Sequence, residues 1–250
     1  MEISKTKAAL YASLSSKKMR NRHGLFLVEG EKCVIDTLGA FDLVNLVSSH
    51  GWIEDHPDIA SRYEYCLLEA SDSVLSKISA LSTPSEIIAV FRIPEEETMP
   101  DLSDRLVLAL DGIQDPGNLG TIIRTADWFG VNVILASHDT VDLYNPKTIQ
   151  STMGSLKRVK VYYTSLPDVV RRYPDMPVYG TLLDGENIFR TSLSDTGIIV
   201  MGNEGKGISS EMKETITCPL LIPPYNDKSH GESLNVAIAT AITLSVFRNH

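Results

Sequence analysis

Short apolar runs alternate with amphipathic segments along this chain of 250 residues. The clearest case begins with Leu106–Leu110 (LVLAL), continues through a polar loop and a segment with apolar positions at helical spacing, and ends with Val131–Ala136 (VNVILA). Short runs rich in Val, Ile and Leu are typical of strands buried on both faces of a parallel sheet. Open α/β sheets bind ligands at the carboxyl ends of such strands. The intervening stretch, Asp111–Gly130, is therefore the first candidate for a functional site.

The same stretch carries local signals for the ends of its helix. Gln114–Gly117 (QDPG) has strong turn chemistry. Asn118 can then cap the helix, and Gly130 follows it at a position that usually needs a left-handed residue. Arg124 lies inside the helix, where an arginine is more often a solvated surface residue than a functional one.

The first 93 residues show a similar alternation of strands and helices. The pattern predicts helices at residues 3–20, 34–38, 53–61 and 71–79, and strands at 25–28, 43–47, 65–68 and 87–91. This alternation predicts a small α/β domain over residues 1–93. Residues 94–104 (PEEETMPDLSD) are acidic, contain proline and lack periodicity, which predicts a linker. A second α/β domain is expected over residues 105–250.

Two further strand-and-loop units follow in the second domain. Val178–Leu183 is predicted to be a strand that runs into a turn at Asp184-Gly185. Ile198–Met201 is predicted to be a strand followed at once by Gly202–Gly207 (GNEGKG). Three glycines in six residues indicate a backbone that turns tightly or approaches a ligand closely. Their spacing matches neither the dinucleotide fingerprint nor the phosphate loop.

Two more helix starts are visible in this domain. Pro146 can begin a helix after the polar connection at 139–145. A long apolar helix is predicted from Val236 to Val246, and Ser233 is a natural cap for it without any catalytic role. Asn235 is harder to explain in this way, because asparagine is a poor residue inside a helix.

The distribution of charge changes what the net charge of −9 indicates. A net negative charge argues against nucleic acid as a partner, but residues 1–30 hold six Lys/Arg and only two acidic residues. Such a basic arm indicates either a phosphate-binding face or a solvated helix. Its central cations are Lys17, Lys18, Arg20 and Arg22.

A second basic segment, Leu143–Pro167, contains no acidic residue and combines its cations with three tyrosines. Basic residues interleaved with aromatic ones suit phosphate contacts and base stacking. The cations predicted to contact RNA in this segment are Lys147, Lys157 and Arg158.

Cysteine usage and hydropathy exclude several classes of protein. Cys33, Cys66 and Cys218 are widely spaced, so they suit a reducing cytosol and offer neither a disulfide framework nor a zinc-binding pair. No apolar run reaches the roughly 18 residues that would span a bilayer, and the start lacks a signal-peptide core. We therefore expect a cytoplasmic protein without membrane spans, and no His, Cys and carboxylate cluster predicts a metal site.

Three segments together carry a resemblance to a known family. Asn118-Leu119-Gly120, with Arg124-Thr125 and Phe129-Gly130 after it, resembles the first motif of the SpoU/TrmH family of RNA ribose 2′-O-methyltransferases. Residues 201–209 (MGNEGKGIS) resemble the second motif, and residues 222–224 (IPP) with 233–242 (SLNVAIATAI) resemble the third. Residues 26–32 (FLVEGEK) with 82–84 (STP) resemble the family's substrate-binding domain, although Ser85-Glu86 and Gln150 differ from residues common in relatives.

The resemblance implies a SPOUT-type parallel α/β sheet with a carboxyl-terminal trefoil knot, a smaller amino-terminal α/β domain that binds RNA, and a homodimer. It implies transfer of a methyl group from S-adenosyl-L-methionine to a ribose 2′-hydroxyl of rRNA or tRNA. The catalytic residues that it implies are Arg124, Asn118, Glu204, Ser233 and Asn235. The cofactor-binding residues that it implies are Thr181, Leu182, Gly202, Asn203, Gly205, Ile222, Pro223 and Leu234.

Two questions of chemistry stay open at this level. The unperturbed pKa of arginine lies above ~12, so Arg124 suits charge stabilisation and a phosphate clamp better than proton abstraction. His230 is one candidate for the base, since histidine titrates near neutrality. The alternative functions are a non-catalytic RNA-binding or ribosome-assembly protein that retained the fold, and a nucleotide-binding oxidoreductase or hydrolase. The presence of Arg124 and Asn235 favours an enzyme over the first, and the missing nucleotide fingerprints count against the second.

Overall fold

The structure, a computed structural model, describes residues 1–95, 97–225 and 233–249. The chain divides into two compact units, each with its own sheet. The first unit comprises Met1–Glu97 and Tyr144–Lys157, and the second comprises Thr98–Leu143 and Arg158–His250. The first unit thus includes a segment from the second half of the chain, which a division at the linker alone did not anticipate.

The helices and strands are numbered in chain order. The strands are β1 (Leu25–Glu29), β2 (Leu43–Ser48), β3 (Leu67–Glu69), β4 (Ile87–Arg92), β5 (Leu106–Asp111), β6 (Val133–Ala136), β7 (Lys160–Tyr163), β8 (Val178–Asn187), β9 (Gly197–Gly202) and β10 (Cys218–Leu221). The helices are α1 (Lys5–Ser13), α2 (Lys17–His23), α3 (Glu31–Thr37), α4 (His50–Asp55), α5 (Pro57–Arg62), α6 (Asp72–Ile78), α7 (Pro116–Trp128), α8 (Pro146–Thr152), α9 (Leu166–Arg172), α10 (Ser210–Lys213) and α11 (Val236–Phe247).

The first unit is built on a four-stranded sheet in the order β1-β4-β2-β3. Strand β4 is antiparallel to both neighbours, whereas β2 and β3 are parallel. Two predicted helices are each split in two. The helix expected at 3–20 breaks after Ser13, where Ser16 is extended. The helix expected at 53–61 breaks at Pro57, because proline lacks an N–H, disfavours helical backbone before it and suits the first position of a new helix.

The second unit is built on a six-stranded sheet in the order β10-β8-β9-β5-β6-β7, and all of its neighbouring strands are parallel. The prediction of a parallel α/β sheet is therefore confirmed. Every residue of the central strands β5 and β9 is buried, which explains why both are apolar apart from Asp111 at the end of β5. Leu102, from the predicted linker, is also fully buried in the core of this unit.

Helices α7 and α11, which carry or adjoin four of the five predicted catalytic residues, begin at other caps than expected. Helix α7 starts at Pro116, whose fixed φ suits a first helical position, so Asp115 rather than Asn118 is its cap. Asn235, not Ser233, caps α11, and its side-chain oxygen accepts hydrogen bonds from two backbone N–H groups. Gly130 has a φ of +70°, so the prediction of a left-handed residue after α7 is confirmed.

Strand β8 continues through the turn predicted at Asp184-Gly185, so that prediction is wrong. Its two ends pair with β10 in different registers, Tyr179 opposite Cys218 and Glu186 opposite Leu220. A Cβ atom on Gly185 would lie 2.5 Å from the carbonyl carbon of Leu220. The glycine therefore serves a close approach of two backbones that are distant in sequence.

Candidate active site

The carboxyl ends of β5 and β9 bring two polar loops together, because these strands are neighbours and Asp111 stands opposite Gly202. Asp111 is nearly buried, and its carboxylate accepts a 2.7 Å hydrogen bond from the backbone N–H of Ser209. The loop after β5 and the loop after β9 are thereby fixed at one edge of the sheet. This is the edge at which parallel sheets bind ligands.

Asn203 organises the glycine-rich loop after β9. Its backbone N–H and C=O both pair with Gly207, at 3.0 and 2.9 Å. Its side-chain oxygen accepts hydrogen bonds from the N–H groups of Gly205 and Lys206, both at 2.9 Å. Its side-chain nitrogen donates to the carbonyl oxygen of Gly112 at 2.6 Å. All four polar groups of Asn203 thus have partners inside the protein, so this residue shapes the loop.

Gly202 is required by close backbone approach. A Cβ atom on it would lie 2.3 Å from the backbone nitrogen of Ile208, a distance that no side chain can occupy. Gly202 must therefore be a glycine because the chain returns close to its own backbone at this point. A Cβ on Gly205 would meet only the side-chain oxygen of Asn203, at 3.7 Å.

Gly202→Ala is expected to lower the free energy of unfolding by about 1–3 kcal/mol, because the loop must shift to admit the methyl group. Gly205→Ala is the matched control, since its added methyl group makes an ordinary van der Waals contact. Thermal and urea unfolding of the two variants measure the difference. Equal midpoints for Gly202→Ala and wild type would contradict the packing argument.

Three residues from distant parts of the sequence form a hydrogen-bonded chain at this edge. The side-chain nitrogen of Asn235 donates to the side-chain oxygen of Asn118 at 3.0 Å. The side-chain nitrogen of Asn118 donates to Oε1 of Glu204 at 2.9 Å. The backbone N–H of Gln114 lies 3.4 Å from the other carboxylate oxygen of Glu204. The structure thus brings together three of the five residues predicted to be catalytic.

Arg124 and Ser233 complete the predicted catalytic set, and both are exposed. Arg124 lies six residues beyond Asn118 on α7, which is less than two helical turns. It makes no hydrogen bond or ion pair with the part of the chain that the structure describes, so its guanidinium is available to a ligand. Ser233 lies two residues before the cap of α11. His230, the candidate base, lies outside the described residues.

The residues predicted to bind the cofactor lie within β8, at or after the ends of β9 and β10, or just before α11. The hydroxyl of Thr181 donates to the carbonyl oxygen of Val200 at 3.3 Å, and Leu182 packs against the core of the unit. Ile222 and Pro223 are half-buried just after β10, and Leu234 is 49% exposed. These residues combine half-buried apolar side chains with backbone polar groups, which is typical of a site for a small organic ligand.

Arg20 differs from the prediction that it contacts RNA. Its side chain is 2% exposed, and its Nη1 donates to the carbonyl oxygens of Leu14 and Ser15, both at 2.8 Å. It therefore holds the junction between α1 and α2 and is removed from the predicted RNA-binding set. Lys17, Lys18 and Arg22 are exposed, as the prediction requires.

The cations of the second basic segment are all exposed, but two of them already have strong partners. The Nζ of Lys157 donates to the carbonyl oxygen of Asp36 at 2.7 Å. The Nε of Arg158 lies 2.8 and 2.9 Å from the two carboxylate oxygens of Asp127. Both cations thus help to hold their own unit together, and a contact with RNA would have to share them with these partners.

The sequence interpretation missed two residues that position the site. Asp115 accepts the backbone N–H of Asn118 at 2.8 Å, and the pair Asp115-Pro116 is a recognisable helix start that could have revealed it. Gln114 donates through its side chain to the carbonyl oxygen of Asp139 at 2.7 Å. No local pattern indicates Gln114, because its partner lies in the loop after β6.

Among the described residues, no group of three or more His, Cys, Asp or Glu side chains could hold a metal ion. Within the same ranges, no helix has both the length and the apolar character needed to cross a membrane. Burial raises the pKa of the Cys33 thiol, and the neighbouring Asp36 raises it further. Burial likewise raises the pKa of the Cys66 thiol, so both thiols stay protonated near neutral pH.

Comparison with protein families matches both parts of the chain. Residues 105–245 match the SpoU rRNA Methylase family, and residues 7–89 match the MRM3-like substrate binding domain. The 23S rRNA (guanosine(2553)-2′-O)-methyltransferase RlmP of Bacillus subtilis is 34% identical over 93% of this chain and 92% of its own length.

The similarity to solved RNA methyltransferase structures extends over the whole chain. An RNA methyltransferase assigned to the TrmH family, from Porphyromonas gingivalis, superimposes with a TM-score of 0.87 at 37% identity and covers 99% of both chains. An AdoMet-bound rRNA methyltransferase from Sinorhizobium meliloti has a TM-score of 0.85 at 30% identity and covers 100% of this chain and 98% of its own. Both likenesses extend over the two units described above.

Proposed function

The chain belongs to the SpoU rRNA methylase family, and from that premise we propose that it is an enzyme that methylates a ribose 2′-hydroxyl of rRNA or tRNA with S-adenosyl-L-methionine. The observation that carries the proposal is the direct hydrogen bonding of Asn118, Glu204 and Asn235. These residues come from the three segments that resemble the family motifs, and they meet where parallel sheets bind ligands.

The middle of β8 and the loops after β9 and β10 fit S-adenosyl-L-methionine in their chemistry. Half-buried Leu182 and Ile222 offer apolar surface for an adenine ring, and the loop that begins at Gly202 brings backbone close to the same edge of the sheet. When bound, the cofactor supplies an electrophilic methyl group. The residues proposed to hold it are Thr181, Leu182, Gly202, Asn203, Gly205, Ile222, Pro223 and Leu234, with Asn203 acting by shaping its loop.

Arg124 is proposed to contact the reacting nucleotide. Its guanidinium stays protonated, since its unperturbed pKa exceeds ~12, and it can donate two parallel hydrogen bonds to a phosphate. Transfer of the methyl group to the 2′-oxygen would release S-adenosylhomocysteine, and the hydroxyl proton would pass to solvent water. A fixed cation beside the 2′-oxygen stabilises the negative charge that develops there. Ser233 is proposed to line the same site beside α11.

We assign RNA binding to residues 1–93 and methyl transfer to 105–250, with residues 94–104 joining the two and placing Leu102 in the core of the second unit. In this assignment Lys17, Lys18, Arg22 and Lys147 contact phosphates, with Lys157 and Arg158 sharing that role with their internal partners. We also propose a cytoplasmic location and, by resemblance to the family, a carboxyl-terminal segment threaded as a trefoil knot. A cytoplasmic location suits an rRNA or tRNA substrate, whereas a membrane location does not.

A homodimer is part of the proposal, and the surface of α11 supports it. This helix is apolar on all its faces, as a fully covered helix usually is. Yet Ile238 is 52% exposed and Leu234, just before the helix, is 49% exposed. Trp128 on α7, a helix that packs against α11, is 85% exposed. A second copy of the chain would cover these side chains and complete the site.

Cofactor specificity is the first test. S-adenosylhomocysteine is expected to bind in calorimetry, whereas NAD and ATP are not, and at 100 times its dissociation constant it should add about 2.7 kcal/mol to the free energy of unfolding. Leu234→Ala is expected to weaken binding about 10-fold, through lost apolar contact. Leu183→Ala, at a leucine that is 79% exposed and outside the proposed site, is the matched control.

The reaction is tested with labelled methyl groups. The protein should transfer methyl to rRNA or tRNA from cells that lack it, and mapping of 2′-O-methyl positions should then identify the nucleotide. Binding of S-adenosylhomocysteine without transfer to any RNA would favour the non-catalytic RNA-binding function. Binding of NAD or ATP instead would favour an oxidoreductase or hydrolase.

A further inference from the structure

The cap of α11 fixes the orientation of the Asn235 side chain. Its Oδ1 accepts hydrogen bonds from the backbone N–H groups of Ala237 and Ile238, at 2.9 and 3.3 Å. Only an oxygen can accept both, so the amide nitrogen must point away from the helix and act as a donor. The atom that it meets is therefore an acceptor, and this atom is Oδ1 of Asn118.

The same logic fixes Asn118 and then Glu204. Because Oδ1 of Asn118 accepts from Asn235, its Nδ2 is the group that faces Glu204. The carboxylate of Glu204 only accepts when ionised, and it receives Asn118 Nδ2 on one oxygen and the N–H of Gln114 on the other. The backbone of Asn118 is held separately, because its N–H donates to Asp115. Every donor in this chain of amides points from α11 toward Glu204.

We propose that Asn235 is a positioning residue. Its side chain caps α11 and thereby sets the direction of the hydrogen bonds from Asn235 to Asn118 and from Asn118 to Glu204, here called the amide relay. The amide relay orients the Glu204 carboxylate. The inference rests on the proposed function, since it assigns the relay a purpose in methyl transfer. Asn235 itself acts through Asn118. A capping residue alone would need no side-chain donor, so the donor of Asn235 is the feature to test.

Asn235→Asp removes that donor while it keeps the cap, because aspartate is as good a capping residue as asparagine. Asn118 must then rotate its amide to donate to the introduced carboxylate, which turns its oxygen toward the Glu204 carboxylate. The two acceptors cannot pair. Thermal unfolding should shift down by about 2–4 °C, as the loss of one hydrogen bond predicts for a chain of this size. Single-turnover methyl transfer should fall roughly 10-fold, while affinity for S-adenosylhomocysteine stays within about 3-fold.

Glu204→Gln in the Asn235→Asp background should rescue the relay with its direction reversed. The amide introduced at position 204 can donate to the rotated Asn118 through its nitrogen and accept the N–H of Gln114 through its oxygen, so every polar group has a partner again. The midpoint of the double variant should return to within about 1 °C of wild type. Its transfer rate should stay low, because the carboxylate has moved from position 204 to position 235. Glu204→Gln alone should lose stability, as Asn235→Asp does.

Asn187→Asp is the matched control, because Asn187 caps the short helix at Ile188–Arg190 with its side-chain oxygen, at 3.0 Å from the N–H of Phe189. It should match wild type in midpoint and in rate. Additive losses in the double variant, or a wild-type midpoint for Asn235→Asp, would overturn the relay. Absence of methyl transfer in wild type would overturn the proposed function instead, and the midpoints would still decide the direction of the relay.

Discussion

Replacing Arg124 with alanine is expected to slow single-turnover methyl transfer by about 100-fold or more. The guanidinium is exposed on α7 and has no partner among the described residues, so it is free to meet the developing charge on the 2′-oxygen. Such an interaction is stronger in the transition state than in the ground state, and single groups of this kind contribute about 100-fold or more. Affinity for S-adenosylhomocysteine should barely change, because Arg124 is proposed to face RNA rather than adenosine.

Two further variants define what Arg124 does. Arg124→Lys should restore little activity, because a point charge cannot reproduce the two parallel hydrogen bonds of a guanidinium. Arg172→Ala, at an exposed arginine on α9 outside the proposed site, is the matched control and should transfer methyl at the wild-type rate. Full activity of Arg124→Ala at saturating RNA would remove Arg124 from the mechanism.

The central strands and the helix between them could be predicted from the sequence because their signals are local and strong. The run at Leu106–Leu110 lies on a fully buried strand, and the apolar spacing from Leu119 to Ala126 forms the buried face of α7. Gly130 has the left-handed backbone that its position indicated. The parallel sheet follows from such strand-and-helix units, since parallel neighbours need a crossover between them.

The caps could not be predicted in the same way, because each helix offers two residues able to fill the position. Asp115 and Asn118 compete at α7, and Ser233 and Asn235 compete at α11. Pro116 decides the first case locally. In the second, Asn235 both caps α11 and reaches Asn118, 117 positions away in the sequence. The candidate site rests on such long-range pairs, which no periodicity reveals and which only the resemblance of the three motifs anticipated.

Arg20 and Gly185 show two other limits of sequence patterns. A run of cations does not reveal which one turns inward, and Arg20 can be buried because backbone carbonyl oxygens accept its N–H groups. Gly185 has the sequence context of a turn, yet it lies in β8 against the backbone of Leu220. In both cases the deciding neighbour lies outside the residue's own helix or strand.

Reversing the three exposed cations of the basic arm, Lys17, Lys18 and Arg22, to glutamate is expected to weaken RNA binding about 100-fold at low salt. Each cation that neutralises a phosphate releases counterions, so the slope of log affinity against log salt should flatten by roughly 2–3 units when three such contacts are lost. Arg20 stays unchanged in this variant, because its buried side chain holds the junction of α1 and α2. Binding of S-adenosylhomocysteine should be unaffected.

The matched control reverses three exposed cations outside the RNA-binding domain, Arg172, Arg190 and Lys213, and so changes the net charge by the same amount. If the arm forms a localised phosphate-binding face, the control should lose far less affinity than the arm variant and keep most of the wild-type salt slope. Filter binding to rRNA fragments between about 0.05 and 0.2 M salt measures both quantities, within the range where the counterion effect is large. Equal losses in the two variants would mean that only the overall charge matters, and that α2 is a solvated helix.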